Sequence, residues 1–224
     1  MADTIITVQG EYELRHAAER GAVRVRVSYE GPARDEVLAL TTQRQVSLTA
    51  ELRELHDPQR GPVTQWSSDQ LRVWGERPWS HDGSRLDVVH HAEVGIDAVF
   101  CDLAALSDWV GVVSLLDGVV VDGVTWSLTE ARRQSLTQEA RRRAVENAVA
   151  KATVYATSLG LTTITPLALS DPGMLGDGSA PVQPPQPQPL FARAAAADAG
   201  GATLALKPEE LTIAVQVHAR FAAS

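Results

Sequence analysis

One cysteine, Cys101, stands in a chain of 224 residues. A single thiol excludes an intramolecular disulfide and the usual multi-cysteine zinc site. Aromatic residues are sparse, at 5%. No apolar run approaches the roughly 20 residues a membrane-spanning helix needs. Basic residues are outnumbered, 20 Lys and Arg against 28 Asp and Glu, for a formal charge of −8. Such a surface repels phosphate backbones and argues against a general nucleic-acid binder. Sequence signatures of catalysis are missing as well: there is no H-E-x-x-H, G-x-S-x-G or C-x-x-C. Gly173 to Gly178 carries glycines but leads into a Pro-rich stretch, not a helix, which argues against a phosphate cradle. Met1-Ala2-Asp3-Thr4 opens directly onto Ile5-Ile6-Thr7-Val8, too short for a signal-peptide core and without a basic start. The expectation is a cytoplasmic protein with no membrane span, no cofactor and no metal site.

What the chain does contain is a long helical pattern from Thr129 to Gly160. Leu136, Ala140, Ala144, Ala148, Ala152, Tyr155 and Leu159 recur at steps of three and four, the spacing of one helix face. Val145, Val149 and Ala156 widen the stripe. Thr129 suits the N-cap and Gly160 the C-terminal stop. The face is rich in alanine, so the helix is expected to lie close on a sheet or a second helix. Arg141, Arg142 and Arg143 read as a solvated surface, with Glu139 and Arg143 at i, i+4 spacing.

Around this helix the pattern is mostly strand. Ile5 to Gln9 reads as a short strand followed by a polar loop. Gly21 to Glu30 alternates, with Val23, Val25, Val27 and Tyr29 on one side. Asp35 is placed to cap a helix ending near Leu55, with Val37, Leu38, Leu48, Leu52 and Leu55 inward. Thr64 to Trp79 and Leu86 to Phe100 read as the arms of a long hairpin turning at His81-Asp82-Gly83-Ser84. Asp102 caps a helix over Leu103 to Ser114. Val119 to Leu128 follows as a strand, with Val120, Val124, Trp126 and Leu128 on one side and a bulge at Asp122-Gly123. Leu161 to Leu169 is an edge or kinked strand because of Pro166. Residues 171–203 hold six of the twelve prolines and read as a flexible Pro/Gly/Ala-rich loop. Leu211 to Phe221 alternates as a closing strand. Helices interrupt groups of strands without regular βαβ order. That predicts an α+β fold: a mainly antiparallel sheet carrying the long helix and two shorter ones, plus a long β-hairpin, in one domain over residues 1–224.

The order of pieces resembles the SIMPL-domain family, bacterial proteins of mostly unknown function. Ile5-Ile6-Thr7-Val8-Gln9-Gly10 is similar to its opening I-x-V-x-G, and Val120 to Leu128 to the strand before its long helix. Arg143 to Gly160, with Ala144, Ala148, Lys151, Ala152 and Ala156, is similar to that helix. Leu206-Lys207-Pro208-Glu209 through Phe221 is similar to the family's ending, with Glu209 where the family usually has glycine. Family members often carry a secretion signal, and none is expected here from the opening residues Met1 to Val8. The resemblance implies an α+β fold and assembly into large ring-like or channel-like homo-oligomers. Some relatives are linked to the cell envelope and to oxidative stress. It supplies no catalytic residues.

Three candidate features remain. Trp66, Trp74 and Trp79 crowd one hairpin arm and suit either intrachain packing or oligomer contacts. His90 lies on the apolar face of its strand, as a ligand or base or as a hydrogen-bonded residue at the core edge. His91 points the other way, so the pair cannot chelate one metal from a single face, and His218 falls on a polar face. Cys101 precedes a helix start, where a redox role or a buried structural role is open. The expected function is a non-catalytic, self-assembling scaffold, ring- or channel-like in form and stress-related. The alternatives are a redox or ligand-binding protein acting through Cys101 or His90, and a partner-binding module using the Pro-rich loop.

Overall fold

A computed structural model describes residues 4–81, 83–175 and 206–224. In chain order the elements are β1 (Thr4–Ala17), β2 (Arg20–Gly31), α1 (Arg34–Leu55), β3 (Val63–Ser68), β4 (Arg72–Glu76), β5 (Val89–Phe100), α2 (Leu103–Val113), β6 (Val119–Ser127), α3 (Glu130–Ser158), β7 (Ile164–Ser170) and β8 (Glu210–Ala223). The fold is α+β with antiparallel strands. Those strands form two sheets, where the sequence pattern suggested one. The described residues fall into two compact units, the first from residues 4–17, 128–175 and 210–224, the second from 18–81, 83–127 and 206–209. Most of the Pro-rich stretch, residues 176–205, lies outside the described residues.

In the first unit β1, β8 and β7 form a three-stranded antiparallel sheet in that order. Strand β1 does not stop at Gln9. Each residue from Thr4 to Ala17 has a partner on β8. The segment looked like a loop because Glu11, Glu13 and Arg15 occupy the exposed face while only Tyr12, Leu14 and His16 alternate with them. Helix α3 covers one side of the sheet. Ala140, Ala144, Ala148, Ala152 and Ala156 are its buried residues. The last four pack with Ile6, Val8, Val217, Ala219 and Phe221. Thr129 accepts a hydrogen bond from the Arg132 N–H, and Gly160 ends the helix at φ 77°. Tyr155 and Leu159, expected on the buried stripe, are exposed. Alanines every four residues rotate by about 40° per step, so the stripe drifts around the helix and leaves those two side chains outside. Pro166 adjoins a register shift on the edge strand β7, as its residue type requires.

In the second unit β3-β5-β2-β6 form the main path of a five-stranded sheet, and β4 also pairs with β5. The hairpin arm expected from Thr64 to Trp79 is therefore two strands. It breaks at Asp69, whose N–H donates to the Gly95 carbonyl at 2.8 Å. The returning strand β5 begins at Val89, later than the expected Leu86. Val23, Val25 and Val27 of β2 meet Val94, Ile96, Ala98 and Phe100 of β5 in the core. Leu48 and Leu52 of α1 and Leu106, Val110 and Val113 of α2 complete it. Helix α1 begins at Arg34 with Ala33 at its N-cap and no side-chain cap. Asp35 thus sits in the first turn, where its charge suits the dipole, and does not cap. Asp102 does cap α2, accepting from the Ala104 and Ala105 N–H groups. The β6 bulge is real, with a register shift opposite Arg24/Val25. It reverses the side-chain parity, so Val119 and Val121 pack inward and Val120 is 51% exposed, against the expectation.

Candidate functional site

The most structured group of polar side chains lies on the outer face of the five-stranded sheet. Alternation along β2 directs Arg24, Arg26 and Glu30 away from the valine core. Antiparallel register then sets Arg24 opposite Asp97, Arg26 opposite Gly95 and Glu30 opposite His91. Arg24 donates through Nη1 to Asp97 at 2.9 Å and through Nη2 to Asp69 at 2.5 Å. Its pKa is raised above the ordinary value, first by the charge of Asp97 and then by its hydrogen bond to Asp69. The Arg24–Asp69 pair lies over Gly95, where an added Cβ would meet Asp69 Oδ2 at 2.5 Å. Arg26 donates to Asp122, the bulge residue of β6, and that hydrogen bond is the main cause of its raised pKa. Arg24, Arg26 and Asp69, with Gln70, Arg72 and Glu93, line a shallow depression of about 120 Å³. Arg24 and Arg26 are engaged by carboxylates and Arg72 lies over the Trp74 ring at 5.8 Å, so the depression holds a charge network.

Further along the same face a row crosses three strands. Glu30 and Trp74 both stand opposite His91, on β2 and β4 respectively. The His91 side chain is 18% exposed, with Nδ1 3.3 Å from Glu30 Oε2 and Nε2 3.6 Å from Glu76 Oε1. The Trp74 ring stacks on it at 5.2 Å and 13°. The Nε2 atom is buried without a hydrogen-bond partner. The sequence put His91 on the polar face but gave no reason to prefer it over His90. The deciding facts are cross-strand: the register and the closeness of Trp74.

His90 lies between Gly31 and Gly75 on the neighbouring strands and is half-buried. A Cβ on Gly75 would come within 3.2 Å of its Nδ1, so the missing side chain leaves space for the ring. His218 is opposite Gln9 and Ser170 in the other sheet. Cys101 is exposed. Its S–H donates to the Gly61 carbonyl at 3.0 Å and its N–H to the Pro62 carbonyl at 2.9 Å. These two bonds tie the β5–α2 corner to the loop before β3.

The three hairpin tryptophans are not brought together. Trp66 packs against the core, with Arg53 at 5.8 Å from its ring. Trp74 belongs to the His91 row. Trp79, near the hairpin turn, is 64% exposed, and Arg85 lies over its ring at 5.0 Å. Among the described residues no group of three or more His, Cys, Asp or Glu is placed to hold a metal ion, and no helix is long and apolar enough to cross a membrane.

The arrangement is therefore a sheet with one packed face and one charged, solvent-facing face, joined to an alanine-faced helix on a second sheet. A family model described as SIMPL, a protein of unknown function (DUF541), matches residues 6–221. The chain belongs to that family. No curated protein matches it.

Proposed function

We propose that the protein is a non-catalytic scaffold that works by associating with further copies of itself. The observation that carries this reading is the end of the hairpin, where Trp79 is 64% exposed and Leu86 47% exposed in the same short segment. Large apolar side chains held together at an exposed turn are the composition of an interface centre. The Trp79 and Arg85 bridge keeps them in place when no partner is bound. A closed ring or channel-like assembly, a stress-related role and a cytoplasmic site of action belong to the same proposal. The assembly form and the stress-related role rest on the family resemblance, and the cytoplasmic site rests on the sequence reading alone.

The test is the native mass of the purified full-length chain by light scattering. The reading expects a mass several times the 24.0 kDa of one chain. Trp79→Ser should lower it with the circular dichroism spectrum unchanged. A monomer at every accessible concentration would overturn the reading.

A second reading is favoured by the exposure of Cys101, which leaves a thiol open to oxidants. Labelling by a thiol reagent, with Cys101→Ser as control, measures that reactivity. A redox role requires labelling much faster than a free cysteine in an unfolded peptide.

A further inference from the structure

Among the described residues, helix α3 bonds the free edge of β1 at Gln9 and Glu11. Asn147 Oδ1 accepts from the Glu11 N–H at 3.1 Å, and Lys151 Nζ donates to the Gln9 carbonyl at 3.1 Å. Lys151 also reaches Glu11 Oε1 at 3.3 Å. Both backbone groups point away from β8, because in a regular strand residues two apart present their N–H and C=O to the same side. Thr7 and Ile5 therefore present theirs to that side too. Asn147 and Lys151 are one helical turn apart on α3, and the next members of the row are Tyr155 and Leu159. Four helical residues advance about 6 Å and two strand residues about 6.8 Å. The row thus stays in step with the strand, placing Tyr155 beside Thr7 and Leu159 beside Ile5. At that point the side chains change from an amide and an ammonium to a phenol and an isobutyl group. Tyr155, Leu159 and Ile5 are 54%, 64% and 63% exposed.

Unpaired edges are normally covered, charged or kept short. Here Gln9 and Glu11 are covered by polar side chains of α3, and the Ile5–Thr7 stretch is framed by Tyr155 and Leu159. Building on the self-association reading, we propose that the Ile5–Thr7 edge, flanked by Tyr155 and Leu159, is a strand-addition surface whose occupant is the same edge of a second copy. The pairing is antiparallel and two-fold, centred on Ile6, and merges two three-stranded sheets into one. The argument for a second copy is charge. In a two-fold interface each group meets its own kind. Ile5, Ile6, Thr7, Tyr155 and Leu159 carry none, so this stretch can meet itself without like-charge repulsion. Glu11 and Lys151 are held at the other end, where they also stop the pairing from extending. Reciprocal bonds between Ile5 and Thr7 of the two copies satisfy the exposed N–H and C=O groups.

The test combines native mass with amide hydrogen exchange on the full chain, wild type and the double variant Tyr155→Lys/Leu159→Lys. Both side chains are exposed, so the fold is expected to survive, and circular dichroism checks that it does. A second variant, Thr7→Pro, removes an outward N–H without removing a bond to β8. The proposal expects each variant to reduce the native mass about twofold. It expects the Ile5 and Thr7 amides to exchange at least about tenfold faster in the double variant. A wild-type assembly whose mass is unchanged in both variants overturns this proposal and leaves the self-association reading standing. A monomeric wild type with slow Ile5 and Thr7 amides overturns both, and shows the edge covered by another part of the same chain. A monomeric wild type with fast amides likewise overturns both.

Discussion

Gly10 of β1 lies directly beneath Ala144 of α3. A Cβ built on Gly10 would overlap the Ala144 carbonyl oxygen and come within 2.7 Å of the Ala148 Cβ. This relationship gives a physical meaning to the glycine that ends the opening strand motif and to the alanines of the helix. One backbone rests on the other with no side chain between them. Because one neighbour is backbone, rotamer change cannot relieve the clash. Gly10→Ala is therefore expected to cost about 1–3 kcal/mol, the range for overpacking a tight core. Urea unfolding of the variant checks it. A loss below about 0.5 kcal/mol would mean that α3 sits further from β1 than described.

The opposite sign is expected at Gly111 in α2. Nothing lies within 4 Å of a Cβ added there, and the residue is inside a helix. Gly111→Ala removes backbone freedom from the unfolded chain and should stabilise by about 0.5–1 kcal/mol. Thermal unfolding of the two glycine variants side by side tests space against conformational entropy, since the chemical change is the same.

Much of this fold was legible because its elements carry strong local signals. Val23, Val25 and Val27 alternate without interruption, Asp102 precedes a run of apolar helix positions, and Thr129 and Gly160 bracket α3 with a cap and a stop. What escaped depends on pairing. The Glu11-to-Ala17 half of β1 is polar enough to look like a loop, and only β8, about 200 residues later in the chain, makes it a strand. Which flank of the drifting alanine stripe on α3 meets the sheet is set by packing, so Tyr155 and Leu159, expected inside, are exposed. At the candidate site the faces of Arg24, Asp97, Glu30 and His91 could be read from alternation. Their partnerships could not, because register between distant strands is set by tertiary packing.

The bulge in β6 offers a sharper test of the same point. Without it Val120 and Val124 would share the inner face. With it Val121 packs against the core and Val120 faces out. Val120→Thr should then change stability by no more than about 0.5 kcal/mol. Val121→Thr places a hydroxyl against apolar neighbours and should cost about 1–2 kcal/mol. Equal effects at the two positions would place the bulge elsewhere.

On the exposed side of α3, Glu139 accepts from Arg142 at 2.6 Å and from Arg143 at 3.0 Å. The hydrogen bond from Arg142 is the first cause of its lowered pKa, with that from Arg143 next, relative to an ordinary value of 4.5. A carboxyl held low in the folded chain contributes stability above its ordinary pKa and loses that contribution as pH falls through the lowered value. Arg142 is shared, since it also pairs with Glu146 at 2.5 Å. The Glu139 carboxyl carbon followed by NMR should titrate below 4.5. In Arg142→Gln it should move up toward that value but not reach it, because Arg143 remains. High salt should raise the wild-type midpoint as well, since these side chains are open to solvent and the attraction between them is screened. A wild-type midpoint at the ordinary value in low salt would show that the three side chains do not hold this arrangement in solution.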